Sequence, residues 1–284
     1  MRILILGVTG MVGNTVFKCL SRETQHQVWG TLRGQNRLQH FSKQAYEYLY
    51  TGVDALDHDS LVTVFTDVQP DVVINCVGVV KQFANANDPL IALPINAIFP
   101  HRLAKLCSLV NARLIHISSD CVFSGEKGNY SENDFTDAQD MYGKSKALGE
   151  LSDSHTVTLR TSTIGYELES NHGLLNWFLS QQEQCKGYTR AVFSGLPTVI
   201  LAQVIRDEVI PKLGLSGLYQ VAAKPISKFD LLLLIADTYN KAIDIVPDET
   251  LIIDRSLDAS RFQAATGYIA PEWPDMINTM HLYK

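Results

Sequence analysis

The chain has 284 residues, of which 46% are hydrophobic and 19% charged, enough for a full doubly wound domain and a smaller second one. The formal net charge of −6 and the lack of a Lys/Arg cluster argue against a nucleic-acid-binding surface. No apolar run reaches transmembrane length and the first residues already form a strand, so we expect no membrane segment and no secretory leader. Five cysteines without metal-ligand spacing predict reduced thiols, a cytoplasmic location and no metal site.

Residues 2–13 combine a short apolar strand, a glycine-rich turn and the start of a helix. The run 3–6 is too short for a helix and uniformly apolar, which predicts a strand buried on both faces. Glycines follow at intervals of three, and apolar residues then take helical spacing. This context predicts a dinucleotide turn with the pyrophosphate at the helix N-terminus, an ordinary Gly-rich turn being the alternative. The expected contacts are Gly7, Thr9, Gly10, Met11, Val12 and Gly13.

The end of the second predicted strand, at 28–32, should choose between the two nicotinamide cofactors. An acid there binds the ribose 2′-hydroxyl of NAD, whereas an arginine accommodates the 2′-phosphate of NADP. No acid stands between Gln27 and Asn36, and Arg33 and Arg37 are nearby. This pattern favours NADPH over NADH; the alternative is that both arginines are solvated loop charges.

Further candidate cofactor contacts follow the next two strands. A third strand is predicted at 46–50, and Asp54 after it either accepts a hydrogen bond from the adenine amino group or caps the next helix. Asn96 lies in an apolar helix predicted at 91–106, where it holds a backbone kink or points to solvent. A fourth strand at 72–74 ends in small residues that would let the chain face a cofactor: Cys76, Val77 and Gly78.

A fifth strand and the helix after it carry the residue types of acid–base chemistry. The strand at 114–117 closes with Ser118-Ser119-Asp120, and Tyr142 and Lys146 lie four apart in a predicted helix, on one face. An ammonium close to a phenol lowers the pKa of the phenol, so we expect Tyr142 to become a better proton donor at working pH. Tyr-x-x-x-Lys alone is common on surface helices; after the glycine turn and the serines it predicts a catalytic pair.

Together these motifs resemble the extended short-chain dehydrogenase/reductase family, and within it the dTDP-4-dehydrorhamnose reductase branch. The resemblance covers essentially the whole chain, with the later motifs pointing to the branch only. It rests on GVTGMVG at 7–13, ISSDCVFSG at 117–125, MYGKSKALGE at 141–150, LRTSTIG at 159–165 and PISKFDLLLLIA at 225–236.

The resemblance implies a role for each matching residue. Tyr142 would be the proton donor, Lys146 would lower its pKa and hold the nicotinamide ribose, and Ser119 would hydrogen-bond the substrate carbonyl. The branch usually has Tyr where this chain has Cys121, and the stretch 77–82 lacks the usual His-Thr. We therefore expect a different sugar or an altered pocket, with substrate contacts that include Val79, Lys81, Asp120 and Cys121.

The remaining elements predict an α/β fold: a Rossmann-type doubly wound parallel sheet of about seven strands with a small mixed α/β C-terminal substrate domain. The expected domains are 1–161 with 196–223 for NAD(P) binding, and 162–195 with 224–284 for the substrate. Asn176, Trp177 and Arg190 lie in an irregular polar stretch and are predicted to hold the nucleotide, with Arg190 near its pyrophosphate; the alternative is that Trp177 is core.

The leading functional hypothesis is an NADPH-dependent reductase of a 4-keto-6-deoxy sugar nucleotide, active in nucleotide-sugar and polysaccharide biosynthesis. An epimerase or dehydratase on the same scaffold is less favoured, because no glutamate follows Asp120 as a second acid–base group. A non-catalytic NADP-binding regulatory subunit is the third reading, since fold alone does not establish function. The sequence leaves the sugar, the nucleotide and the oligomeric state, including a homodimer, open.

Overall fold

A computed structural model of the chain describes residues 1–23, 25–79, 81 and 84–283. The strands in this part of the chain are β1 (Arg2–Leu6), β2 (Gln27–Leu32), β3 (Leu49–Thr51), β4 (Val72–Asn75), β5 (Arg113–Ile117), β6 (Thr156–Arg160), β7 (Thr163–Ile164), β8 (Gln184–Tyr188), β9 (Ala191–Phe193), β10 (Leu196–Pro197), β11 (Gly217–Gln220), β12 (Ile226–Ser227), β13 (Asp244–Asp248) and β14 (Ile253–Asp254).

The α-helices of the same residues alternate with the strands through most of the chain. They are α1 (Met11–Leu20), α2 (His58–Val68), α3 (Pro89–Ala92), α4 (Phe99–Leu109), α5 (Met141–Leu148), α6 (Leu174–Ser180), α7 (Thr198–Val204), α8 (Lys228–Thr238), α9 (Ser260–Thr266) and α10 (Trp273–Leu282). None of the helices described is long and apolar enough to span a bilayer.

Seven parallel strands form the central sheet, in the order β11-β6-β5-β4-β1-β2-β3. Ile3 pairs with Val28 of β2 on one side and Val72 of β4 on the other. The strand order reverses at β1 and β4, which is the switch point beside which doubly wound sheets bind their ligands. The predicted fold class is confirmed, and the uniformly apolar runs are explained by strands covered on both faces.

The core lies on both faces of this sheet. One cluster of buried side chains contains residues from α1, α7, α8 and α10, and the opposite cluster contains residues from α2 and α4. Because the first cluster joins Phe17 of α1 to Met276 of α10, the beginning and the end of the chain share one core.

Three small sheets lie outside the central one. They pair β7 with β10, β8 with β13, and β9 with both β12 and β14. Their strands come from 163–197 and 226–254, whereas β11, at 217–220, returns to the central sheet. The division into a dinucleotide and a substrate domain stays a prediction, with which this distribution of strands agrees.

The predicted third strand was misplaced. Residues Lys43–Tyr48 form a 3₁₀ helix, and β3 begins only at Leu49. Tyr46 and Tyr48 are exposed, so this stretch has aromatic residues typical of a strand without the burial that a sheet position would give. A second difference is that the stretch after α6, predicted to be irregular, contains β8 and β9, whose short edge pairings leave little periodicity in the sequence.

Candidate functional site

A cleft of about 910 Å³ opens at the carboxyl ends of the central strands. Its wall includes residues after β1, β2, β4 and β5 on one side, and the loop 167–173 with Lys228 and Arg255 on the other. Its size is in the range of sites for small ligands and cofactors. Of the predicted site residues, the wall contains Gly7, Thr9, Gly10, Met11, Arg33, Asp54, Cys76, Val77, Gly78, Val79, Lys81, Asp120 and Cys121.

The glycine turn has the geometry that a pyrophosphate site needs. Gly7 has a φ of +82°, which favours glycine, and the Gly10 N–H donates to the Gly7 carbonyl at 3.1 Å. A Cβ at Gly13 would lie 2.2 Å from that carbonyl oxygen, whereas a Cβ at Gly10 would come no closer than 3.5 Å to its nearest neighbour. Gly13 is therefore required by packing, and Gly10 leaves open space before the N-terminus of α1, where no side chain caps the helix.

Val12 and Gly13 are the two predicted contacts of this turn that the cleft wall does not include. Gly13 faces inward, where a Cβ would also meet the Cys76 side chain at 3.2 Å. Only their backbone N–H groups, in the first turn of α1, could act on an anion.

The end of β2 carries two arginines of the cleft wall. Arg33 is exposed, and Arg37 Nη1 donates to Thr9 Oγ1 of the glycine turn at 3.2 Å. Arg37 also pairs with Glu169 at 3.0 Å. Asp54 lines the cleft and accepts from the Leu56 N–H at 2.8 Å; the cap of α2 is a different residue, so that alternative for Asp54 was wrong.

Asn96 holds the end of β4 against α5 and does not line the cleft. It lies in the π-helical segment Leu93–Ile98 between α3 and α4 and is 1% exposed. Its Oδ1 accepts from the Val79 N–H at 2.9 Å, and its Nδ2 donates to Ser145 Oγ at 3.1 Å. The alternative that Asn96 points to solvent was therefore wrong, and its predicted contact with the cofactor stays a prediction.

The three predicted catalytic residues, Ser119, Tyr142 and Lys146, lie close together, but none of them is part of the cleft wall. Tyr142 lies near Ser119, whose side chain lowers the pKa of the phenol, and Ser119 Oγ donates to Asp120 Oδ1 at 3.2 Å. Lys146 is 6% exposed and its Nζ donates to the Ile117 carbonyl at 2.8 Å. A Cβ built on Gly78 would lie 3.8 Å from that Nζ, so the lysine lies beside the cleft wall where β4 and β5 end.

The helix α5 approaches these strands closely because of Asp140 and Gly143. Asp140 caps the helix by accepting from the Gly143 N–H at 2.7 Å, and its other oxygen accepts from Lys81 Nζ at 2.8 Å. A side chain at Gly143 would collide with the Cys121 carbonyl, at 2.2 Å. Tyr142 is thereby pressed against the turn that follows β5, and Lys81 Nζ lies 5.9 Å from its ring centre.

The expectation that Lys146 lowers the pKa of Tyr142 is not met in this structure. Burial raises the pKa of the Tyr142 phenol, the neighbouring Cys121 raises it further, and the Ser119 side chain lowers it only in part. Burial also lowers the pKa of Lys146 to about 8, against the attraction of Glu150. The reason is that both groups lose hydration together, and the ammonium faces a carbonyl rather than the phenol.

A buried ion pair between Glu150 and Arg160 lies near Lys146. Glu150 accepts from Arg160 at both oxygens, at 2.9 and 2.6 Å, and from Ser118 Oγ at 2.7 Å. The Arg160 guanidinium also lies 4.8 Å over the Phe123 ring. Bidentate geometry of this kind fixes side chains in one orientation, so Glu150 presents a fixed negative charge near Lys146.

Lys228 and Arg255 form the cationic part of the wall opposite, and the sequence analysis missed both. Arg255 Nε donates to the Phe123 carbonyl at 2.7 Å, and its Nη1 lies 4.0 Å from Cys121 Sγ. Burial raises the pKa of the half-buried Asp120, and Arg255 lowers it only in part. Burial lowers the pKa of Lys228, which forms no ion pair within the described residues.

The signal for these two residues was weak. Lys228 follows Ser227, a serine cap before an apolar helix, and Arg255 interrupts an apolar stretch. Each pattern is common on surfaces; only the fold brings the two cations to the same cleft.

Asn176, Trp177 and Arg190, predicted to hold the nucleotide, lie outside the cleft wall. The Asn176 amide donates to the carbonyls of Glu167 and Ser170, at 3.2 and 3.0 Å, so it fixes the loop before α6. Trp177 packs against the core, as the alternative had it. Arg190 is exposed, and its backbone carbonyl accepts from Ile253. Polar composition marked this region as a loop without indicating which side chains face the ligand.

The chain is similar to a known protein family and to several individual proteins. A family model described as the RmlD substrate binding domain matches residues 1–249. The beta subunit of methionine adenosyltransferase 2 from Bos taurus is 32% identical over 149 residues, which is 52% of this chain and 41% of that protein, so the match spans less than half of that relative. The probable low-salt glycan biosynthesis reductase Agl14 of Haloferax volcanii is 31% identical over 51% of this chain and 46% of its own.

A solved structure supports the same placement at the level of the fold. The dTDP-4-dehydrorhamnose reductase of Bacillus anthracis, solved in complex with NADP, superposes with a TM-score of 0.81 at 20% identity, covering 99% of this chain and 98% of its own. The family model covers most of the chain, and the glycine turn and the Ser-Tyr-Lys group lie within it. The chain therefore belongs to the family of the RmlD substrate binding domain.

Proposed function

We propose that this protein is an NADPH-dependent reductase of a 4-keto-6-deoxy sugar nucleotide, in nucleotide-sugar and polysaccharide biosynthesis. The observation that carries the proposal is that Ser119, Tyr142 and Lys146 lie together beside the wall of a cleft that contains the glycine turn. A hydroxyl donor and a lysine at the strand ends suit reduction of a ketone bound between them.

The raised pKa of Tyr142 agrees with a role as proton donor. A neutral phenol carries the proton that a reduced ketone needs, and an alkoxide is far more basic than a phenolate, so the transfer is downhill. Ser119 would hydrogen-bond the carbonyl oxygen and direct it to the Tyr142 hydroxyl. When bound, the reduced nicotinamide would supply the hydride.

The cofactor proposal rests on two ends of the cleft. Gly10 leaves the space that a pyrophosphate would fill before α1, and Arg33 and Arg37 line the wall where the 2′-phosphate of NADP would lie. Lys146, near Gly78, would hold the nicotinamide ribose. NADP bound to the Bacillus anthracis relative supports this choice.

Lys228 and Arg255 are proposed to receive the diphosphate of the sugar nucleotide. They line the cleft with Asp120 and Cys121, directly after Ser119. Half-buried cations form strong charge-assisted hydrogen bonds with phosphate oxygens. Arg255→Ala should raise the Michaelis constant for the substrate roughly tenfold or more, with NADPH affinity unchanged.

Two other functions predict different results for NADPH oxidation and for the conversion of keto sugars. An epimerase or dehydratase would regain its cofactor in each cycle, so it would cause no net oxidation of NADPH. The similarity to a subunit of methionine adenosyltransferase 2 favours, as the second candidate, a cofactor-binding subunit of another enzyme. That function predicts dinucleotide binding without turnover of keto sugars.

The test is a screen of NADPH oxidation against a panel of 4-keto-6-deoxy sugar nucleotides, with Tyr142→Phe as the inactive control. Net oxidation by the unmodified protein, lost in the variant, supports the reductase. Conversion of a sugar nucleotide without net oxidation indicates the epimerase or dehydratase. Binding of NADPH with no conversion of any substrate refutes the reductase in favour of the subunit.

A further inference from the structure

The loop between β7 and α6 reaches across the cleft to the cofactor side. Its Glu169 carboxylate lies 3.0 Å from Arg37 Nη2 and 2.9 Å from His40 Nε2. Arg37 and His40 follow β2, on the other side of the cleft. Glu169 thus comes from a later part of the chain and contacts the segment after β2 that is proposed to bind the adenosine ribose.

The two groups that hold Glu169 are those that would hold a phosphate. Arg37 is oriented by Thr9 of the glycine turn, at 3.2 Å, and presents its other nitrogen to the carboxylate. Arginine and histidine bind phosphate oxygens with the same donors that they offer to carboxylates. A 2′-phosphate entering at the end of β2 and the Glu169 carboxylate therefore need the same partners.

The loop is built to present Glu169 at this place. Asn176 of α6 holds the carbonyls of Glu167 and Ser170, and Glu167 itself accepts from the Gly173 N–H at 2.7 Å. These contacts lie on both sides of Glu169 in the sequence. They bind the loop to its own helix and leave Glu169 for the ion pairs across the cleft.

We propose that Glu169 determines cofactor specificity by occupying the Arg37–His40 anion site, from which the 2′-phosphate of NADPH must displace it. The inference rests on the proposed cofactor function. NADH carries no 2′-phosphate and leaves the ion pairs of Glu169 intact. Displacing the Glu169 carboxylate costs little free energy, because exposed ion pairs are weak. Arg37 and Glu169 are both about one-third exposed, at 34% and 39%.

The experiment measures dissociation constants of NADPH and NADH for the unmodified protein and for Glu169→Gln, which keeps the size of the side chain. We expect the variant to bind NADPH about fivefold more tightly, which is about 1 kcal/mol, and NADH with less than about a twofold change. The probes 2′,5′-ADP and 5′-AMP should repeat the difference, since only the first carries the phosphate.

Two further variants make the result specific. Glu47→Gln removes an exposed carboxylate from the segment after β2 that has no ion pair with Arg37 or His40 within the described residues, and it should leave both constants unchanged. In an Arg37→Ala background, Glu169→Gln should lose most of its effect, because the carboxylate then competes with the phosphate for His40 alone.

An unchanged or weakened affinity of Glu169→Gln for NADPH would overturn the proposal. An equal gain for both cofactors would also overturn it, by showing an effect on the loop rather than on the phosphate site. Failure of the unmodified protein to bind either dinucleotide would refute the proposed function itself, which keeps the two failures distinct.

Discussion

Lys146→Met should make the protein more stable near neutral pH while it destroys the proposed activity. The side chain is 6% exposed, and burial lowers the pKa of its ammonium from 10.5 to about 8. At about 1.4 kcal/mol per pKa unit, keeping this charge in the fold costs ~3 kcal/mol. Methionine keeps most of the volume, and losing the hydrogen bond to the Ile117 carbonyl costs about 1 kcal/mol. The expected net gain is therefore ~2 kcal/mol.

The pH dependence separates this explanation from a packing effect. Because the folded pKa lies below the unfolded one, the unfolded state binds more protons between pH 8 and 10.5, and the stability of the unmodified protein rises with pH across this window. The advantage of Lys146→Met is then complete below pH 8 and lost as the pH approaches 10.5.

Urea denaturation near neutral pH and at about pH 10 measures both quantities. Lys144→Met is the matched control, since Lys144 lies on the same helix and is exposed; it should change stability little at either pH. A Lys146→Met variant that is less stable than the unmodified protein near neutral pH would refute the reasoning. So would a stability gain that stays constant as the pH rises.

Two further predictions follow from the site. Tyr142→Phe should keep its NADPH dissociation constant and lose ~10²–10⁴-fold in turnover, because it removes the hydroxyl with its transferable proton and keeps the ring. Undiminished turnover in a stopped-flow assay would show that Tyr142 has no part in the chemistry. Gly10→Ala should fold normally and bind dinucleotide poorly, whereas Gly13→Ala should lose ~3 kcal/mol or more of stability, because its Cβ would lie 2.2 Å from a backbone oxygen. Thermal melts and NADPH titrations of both variants check this, and similar melting temperatures would contradict it.

Local patterns predicted the parts of the fold that local sequence determines. The strand–glycine–helix unit was read correctly because Gly7 and Gly13 are required by the backbone itself. The apolar strands were read correctly because both faces of the central sheet are covered. The third strand was misplaced because its aromatic residues satisfy the composition of a strand and only tertiary contacts decide where pairing begins.

The candidate site was predictable where its residues share one element and hidden where they meet through the fold. Tyr142 and Lys146 lie one turn apart on α5, so their spacing was visible. Lys228, Arg255 and Glu169 come from three different segments, and nothing in their own neighbourhoods marks them. The shift of the Tyr142 pKa was predicted in the wrong direction for the same reason. The spacing in the sequence indicates that a lysine is near, but it does not indicate how deeply the phenol is buried.

Two ion pairs of the site, Glu150–Arg160 and Glu169–Arg37, differ in burial, and this difference determines how easily each pair is broken. At the chemical end, the pair of Glu150 and Arg160 has side chains 13% and 2% exposed; breaking such a pair leaves a buried charge alone, at several kcal/mol, so this pair holds Lys146 in a fixed field. At the proposed adenosine end, the pair of Glu169 and Arg37 is about one-third exposed, so breaking this pair costs about 1 kcal/mol or less. A rigid pair suits a step that needs one geometry, and an exchangeable pair suits a site that must admit and release its ligand.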